Sequence, residues 1–316
     1  MITYILFILG FAFLIIGAKL LIDGASSLGT KAGLPQLIIG LSIVALGTSL
    51  PELVINVFAS INGNTGLAIG NVLGSNIMNT LLIVGITAII YPIKVNSSVC
   101  KRDTWINLIA ILTMAVLAND AIFGKTSNTI DQTDGIILLI LFIALLYILF
   151  SKGNKQEDEV EIPAKELSYL KSILLIIAGS VGLFFGGRWI VDGATSIAND
   201  FGVSQSTIGL TLIAMATSLP ELVTSVVAAL KKNTDIAIGN ALGSNVFNIF
   251  LVLGTSAVIT PISFDAKLNF EISVLLLASI FLVVVMRVGK TKRTITRIEG
   301  ILLAISYIAF LIWSLI

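Results

Sequence analysis

The sequence contains no histidine. That removes the commonest metal ligand, the commonest general base and the usual proton relay. It has one cysteine, Cys100, so no intrachain disulfide can form and nothing follows about redox compartment. Charge is scarce as well: 12% of residues are Asp, Glu, Lys or Arg, against about 25% in a soluble domain. The net charge of +1 gives no basic footprint for nucleic acid. No nucleophile–base pair stands out, so an enzyme is not expected, and no cofactor is called for. What fills the chain is hydrocarbon. Hydrophobic residues make up 56% of it and the mean hydropathy is +1.04, which points to a membrane protein.

A helix needs about 20 apolar residues to cross the hydrocarbon core. Ten stretches qualify or nearly so: 2–22, 36–60, 67–91, 103–119, 134–150, 170–191, 205–230, 236–260, 269–287 and 297–316. The first lacks the basic leader of a signal peptide and reads as a retained span. The fourth is the weakest, because Asn107 and Thr113 interrupt it. The one long hydrophilic segment, Ser151 to Lys171, has mixed charge and reads as a linker between halves.

Ten spans put both termini on one side of the membrane. Odd-numbered connections then hold fifteen Lys and Arg residues and even-numbered ones hold two, Lys125 and Lys267. Lys19 and Arg188 sit inside spans or at their ends. Positive residues favour the cytoplasm, so the sequence predicts a multi-pass cell-membrane protein with termini outside and the 151–171 linker cytoplasmic.

The chain also repeats itself. GLSIVALGTSLPELV from Gly40 matches GLTLIAMATSLPELV from Gly209, at an offset of 169 residues. The same offset joins AIGNVLGSNIMN (Ala68 to Asn79) to AIGNALGSNVFN (Ala237 to Asn248), and Asp23 to Asp192. Each half has five spans, and an odd number makes the second half enter from the opposite side. The predicted fold is therefore an all-α membrane protein of ten transmembrane helices in two inverted-topology five-helix repeats, with helices 2 and 7 broken. Residues 1–150 form the first repeat, 151–169 the cytoplasmic linker and 170–316 the second repeat. Inverted repeats of this kind are typical of secondary transporters, with the site near the midplane.

Glu52 and Glu221 lie deep inside the second and seventh spans. A charge at that depth costs on the order of 3 kcal/mol on insertion scales, so a functional role is the default. Pro51 and Pro220 precede them. Proline lacks an N–H and clashes with the carbonyl four residues back, here Gly47 and Ala216, so both helices should break just before the glutamate. Thr48, Ser49, Thr217 and Ser218 add hydroxyls in the break. In the third and eighth spans Ser75 and Asn79 share a face, as do Ser244 and Asn248, with Asn71 and Asn240 on the same stripes. Glycines at four-residue spacing there read as helix packing. Hydroxyl and amide oxygens beside two carboxylates make a hard-oxygen site suited to sodium or calcium rather than copper or zinc. Asp23 and Asp192, near span ends, read as structural.

The paired GTSLPE (Gly47 to Glu52) and ATSLPE (Ala216 to Glu221), with GSNIMN and GSNVFN, resemble the two alpha-repeats of the calcium/cation antiporter superfamily, and its prokaryotic sodium/calcium exchangers most. The resemblance covers about half the chain. It implies four clustered cation sites, with Glu52 and Glu221 as shared central ligands and the carbonyls of Thr48 and Thr217 helping to hold calcium. Ser49, Ser75, Ser218 and Ser244, with the carbonyls of Ala45 and Ala214, would complete outer sodium sites, and Asn79 and Asn248 would line the middle site. It further implies exchange of three sodium ions for one calcium, and sliding of the first and sixth helices across the other eight. Two positions depart from the pattern: Ala216 stands for the usual glycine, and Asn248 for the aspartate of some archaeal and potassium-dependent relatives. The second speaks against potassium co-transport.

The expected function is sodium/calcium antiport by alternating access, with sodium and calcium as transported ions, the lipid bilayer as surroundings and a monomer as the working unit. The alternative is proton/calcium antiport. The paired serines favour sodium, since a proton needs only a carboxylate. A channel would more naturally use rings of equivalent sites around an axis.

Overall fold

A computed structural model describes residues 2–95, 102–124, 127–152, 167–200, 214–288 and 293–315. Helices dominate. In chain order they are α1 (Ile2–Lys31), α2 (Gln36–Thr48), α3 (Leu50–Ile61), α4 (Thr65–Ile90), α5 (Thr104–Leu117), α6 (Gln132–Lys152), α7 (Tyr169–Asp200), α8 (Ala214–Thr217), α9 (Leu219–Leu230), α10 (Thr234–Ile259), α11 (Asn269–Val288) and α12 (Arg297–Leu315). Four two-residue strands accompany them: β1 (Ile93–Lys94), β2 (Thr129–Ile130), β3 (Ile262–Ser263) and β4 (Thr294–Ile295).

Among the described residues, seven helices are long and apolar enough to cross a membrane, and α2 with α3 makes an eighth if the bent pair is one span. The other two predicted stretches are represented by shorter apolar helices. Helix α5 has 14 residues, about 21 Å at 1.5 Å per residue, less than the hydrocarbon thickness. Helix α9 covers only the second half of the predicted 205–230 stretch; residues 201–213, and the linker residues 153–166, lie outside the described segments. Asn107, which weakened the fourth stretch on paper, is buried and donates to Ser279 Oγ at 3.1 Å.

Two helices run past their apolar stretches. Helix α1 continues from the predicted end at residue 22 to Lys31, because its polar last turns are paired: Asp23 with Lys231 at 2.6 Å, and Ser26 donating to Gln36 at 3.2 Å. Helix α7 continues to Asp200. These two cross each other with their backbones almost touching. A Cβ at Gly17 would stand 2.8 Å from the Gly179 carbonyl oxygen, and one at Gly179 would stand 2.8 Å from that of Gly17, so only glycine allows this approach.

Helices α4 and α10 form the centre; α10 is buried along nearly all its length and α4 along most of it. One apolar cluster joins them to α5, α6, α11 and α12, with Phe142 of α6 edge-on to Phe247 at 4.9 Å. A second, smaller cluster joins α1 and α7 to α2, α9 and the start of α10. On the outside, large apolar residues such as Ile8, Ile143 and Leu277 are more than half exposed, as a lipid-facing surface requires.

The strands form two ribbons. β1 pairs with β4 (Ile93 opposite Ile295), and β2 with β3 (Ile130 opposite Ile262). Three short π-helical segments interrupt the central helices: Gly40–Val44 in α2, Met78–Ile83 in α4 and Asn248–Leu253 in α10. Such bulges occur frequently at functional sites.

Candidate cation site

The predicted breaks are present in both halves. Ser49 (φ −85°, ψ 6°) and Ser218 (φ −90°, ψ 4°) adopt the same non-helical conformation, with the proline following in the first turn of α3 and of α9. Helices α2 and α3 meet at a 46° bend. Because Pro51 and Pro220 have no N–H, the carbonyls of Gly47 and Ala216 lose their helical donors. Glu52 and Glu221 then fall in the first turns of the new helices, where the helix dipole favours a carboxylate.

Both carboxylates are buried, Glu52 at 1% exposure and Glu221 at 0%. The hydroxyl of Ser49 donates to Glu221 Oε1 at 3.0 Å, and that of Ser244 reaches the same oxygen at 3.5 Å. Neither oxygen of Glu52 has a hydrogen-bond partner, although Ser218, the repeat equivalent of Ser49, stands beside it.

The other expected residues gather around this pair. Thr48 donates to Asn240 Oδ1 at 3.1 Å, and Thr217 to Asn71 Oδ1 at 3.1 Å. The hydroxyls of Ser75 and Thr217 lie 3.4 Å apart. The Ala45 carbonyl accepts from the Ser49 N–H at 2.9 Å and lies 3.2 Å from the Thr48 hydroxyl. Ala214 begins α8, one turn before the second break. Asn248 donates through Nδ2 to Asn76 Oδ1 at 3.1 Å, leaving its own Oδ1 unpartnered, and the Asn79 amide has no partner at either atom.

Buried polar groups are nearly always hydrogen-bonded. Here both Glu52 oxygens, Glu221 Oε2, Ser218 Oγ, the Asn79 amide and Asn248 Oδ1 are buried without a partner. All but one of these atoms are oxygens. That is the donor set a hard cation takes in place of its water. A cavity of about 360 Å³ between α3, α7 and the second break touches Pro51, Pro220 and Thr217, and extends to the exposed pair Arg188 and Asp192, 3.9 Å apart.

Sequence reasoning missed Asn76 and Asn245. They are repeat equivalents and meet each other: Asn76 Nδ2 donates to the Asn245 carbonyl at 3.2 Å. Asn245 Nδ2 donates to Thr80 Oγ1 at 2.8 Å, and Thr80 in turn to the Asn76 carbonyl at 2.8 Å. This closed ring rivets α4 to α10. The signal was available, since both asparagines lie inside the duplicated GSN. Asn56 and Ser225 were also missed; they match in position but not in residue type, so identity between the halves could not mark them.

Comparison with known proteins places these features in a family. The sequence profile described as sodium/calcium exchanger protein matches residues 2–151 and 171–316. The putative antiporter CaxA of Alkalimonas amylolytica is 34% identical, over 98% of this chain and 98% of its own. The sodium/calcium exchanger MaX1 of Methanosarcina acetivorans is 31% identical, again over 98% of each chain. Among solved structures, the sodium-calcium exchanger NCX_Mj, soaked with 2.5 mM Na+ and 0.1 mM Ca2+, superposes with a TM-score of 0.83 at 32% identity, covering 98% of this chain and 97% of that one. The Ca(2+)/H(+) antiporter ChaA of Bacillus subtilis is 25% identical over 69% of this chain and 66% of its own.

Proposed function

The chain belongs to the sodium/calcium exchanger protein family, and from that membership we propose that it exchanges sodium for calcium across the membrane by alternating access. The family is one of secondary transporters rather than enzymes, and the chain is a multi-pass membrane protein. Glu52 and Glu221 hold the transported cations between them, assisted by Thr48, Ser49, Ser75, Asn79, Thr217, Ser218, Ser244 and Asn248 and by the carbonyls of Ala45 and Ala214. The observation that carries this reading is the pair of buried carboxylates with three of their four oxygens unpartnered.

Two like charges in a dry pocket repel strongly. One divalent ion, or about two monovalent ones, neutralises them. Calcium and sodium therefore compete for the same oxygens, and a protein that rearranges only when the pocket is neutral will not cross empty. Three sodium ions against one calcium would move one net charge per cycle.

The proposed topology is ten spans in two inverted repeats, residues 1–150 and 170–316, joined by the cytoplasmic 151–169 linker, with the termini outside. Contacts between connections support it. In a ten-span chain, connections of like parity share a side. The β1–β4 ribbon joins the third connection to the ninth, and β2–β3 joins the fourth to the eighth. Thr234, after the seventh connection, donates to the Lys94 carbonyl in the third, and Thr260, in the eighth, donates to the Ser60 carbonyl beside the second.

Isotopic calcium uptake into proteoliposomes tests the coupling. An outward sodium gradient, from sodium-loaded vesicles at clamped pH, is expected to drive uptake, and a pH gradient alone is not. Uptake driven by the pH gradient and indifferent to sodium would replace this reading with proton/calcium antiport.

A further inference from the structure

Asn71 on α4 and Asn240 on α10 are repeat equivalents, exposed by 3% and 0%. Each accepts the hydroxyl of the threonine at the other half's helix break: Thr217 to Asn71 Oδ1 at 3.1 Å, and Thr48 to Asn240 Oδ1 at 3.1 Å. The two bonds mirror each other across the repeats.

Their direction is dictated by groups that can only accept. Asn240 Nδ2 donates to the Glu221 backbone carbonyl at 3.2 Å and to Ser225 Oγ at 3.0 Å. A carbonyl has no hydrogen to give, so the amide nitrogen must face Glu221 and Oδ1 must face Thr48. On the other side Asn56 Nδ2 donates to the Ala68 carbonyl at 3.0 Å, which turns Asn56 Oδ1 towards Asn71 Nδ2 at 2.7 Å. Asn71 Oδ1 is thereby left for Thr217. The second chain likewise ends on a carbonyl, from Ser225 to Ala237 at 3.4 Å, and Ala68 and Ala237 are themselves repeat equivalents. Each threonine is the last residue before Ser49 or Ser218. A rigid acceptor from the opposite half therefore fixes the end of each upstream helix piece relative to the carboxylate that follows.

Resting on the exchanger reading above, we propose that Asn71 and Asn240 are positioning residues of the cation site. They act through Thr217 and Thr48, holding the two helix breaks and the backbone oxygens beside them at the spacing the cations require. Groups that orient ligands in this way typically change metal affinity by about 10- to 100-fold when removed.

A double-mutant cycle on isotopic calcium binding to the full-length protein in detergent tests this. Asn71→Ala and Thr217→Val are each expected to weaken calcium binding by about tenfold or more. The double variant is expected to bind no worse than the weaker single, because one interaction has been removed twice. Asn71→Ala with Thr48→Val, which share no hydrogen bond in this structure, is expected to multiply the two losses. Equal multiplication in both pairs, or an unchanged affinity in Asn71→Ala, would overturn the proposal. If Asn71→Ala does not fold, the threonine decides alone: Thr217→Ser keeps the hydroxyl and is expected to bind as wild type while Thr217→Val does not, and equal binding by the two overturns it. Binding is read without a driving gradient, so a failure of sodium coupling leaves this test intact. A wild-type protein that binds no calcium would remove the exchanger reading itself.

Discussion

Ser49 of the first repeat donates its hydroxyl to Glu221 of the second, with 3.0 Å between Oγ and Oε1. One half of the chain thus holds the buried carboxylate of the other, at the point where its own helix breaks. The hydroxyl of the mirror-related Ser218 has no hydrogen-bond partner. The two halves share a template and differ in detail.

That difference makes the serines testable separately. A hydrogen bond to a charged group contributes about 1.5–3 kcal/mol. Ser49→Ala is expected to raise the half-saturating calcium concentration about tenfold or more, and Ser218→Ala to raise it less. Flux assays over a calcium titration would check this. Equal effects would mean that the inequivalence of the two carboxylates does not matter to binding.

Asn248 faces the site with an unpartnered Oδ1 while its Nδ2 is held by Asn76. On the proposed reading it is a neutral ligand beside two charged ones. Asn248→Ala is expected to slow calcium exchange but to leave it measurable, with a smaller loss than either glutamate substitution. Exchange abolished by Asn248→Ala would move the centre of the site away from the glutamates.

The α1–α7 crossing depends on contact between backbones. A Cβ added at Gly17 meets the Gly179 carbonyl oxygen at 2.8 Å and the Leu183 nitrogen at 2.9 Å. Overpacking of this kind costs about 1–3 kcal/mol. Gly17→Ala should lower the thermal midpoint in detergent, whereas Gly66→Ala, where nothing lies within 4 Å of the added Cβ, should not. A thermal midpoint unchanged by Gly17→Ala would contradict the tight crossing.

Asp23 and Lys231 tie the end of α1 to the turn after α9 at 2.6 Å, with their side chains 28% and 36% exposed. Partly exposed pairs are worth little, about 0–1 kcal/mol, and salt screens them. Lys231→Asn is expected to lower the midpoint slightly at low salt and not at high salt. A large, salt-independent loss would show that Asp23 does more than anchor α1.

The candidate site was legible because it is written twice. The 169-residue offset singled out Glu52, Glu221 and the serines and threonines beside them, and proline chemistry located the breaks at Ser49 and Ser218. The π segments were not legible: a one-residue change in helical register at Met78 or Asn248 leaves hydropathy untouched. The extension of α1 to Lys31 was missed because an apolar-run criterion stops where polar residues cluster, from Asp23 on, while Asp23 and Ser26 are stabilised by partners distant in sequence. The Asn76–Asn245 rivet lay within a repeated motif, but its residues have no charge to draw attention to them. Asn56 and Ser225 differ in type, and only geometry shows that they serve the same end.

The most direct test of the whole account is sodium-driven calcium uptake by proteoliposomes containing wild-type protein, Glu52→Gln or Glu221→Gln, with reconstituted amounts matched. Glutamine keeps the size and removes the charge. The account predicts that each substitution alone abolishes uptake that the wild type sustains. Near-wild-type uptake by both variants would contradict the claim that these two carboxylates hold the transported ion.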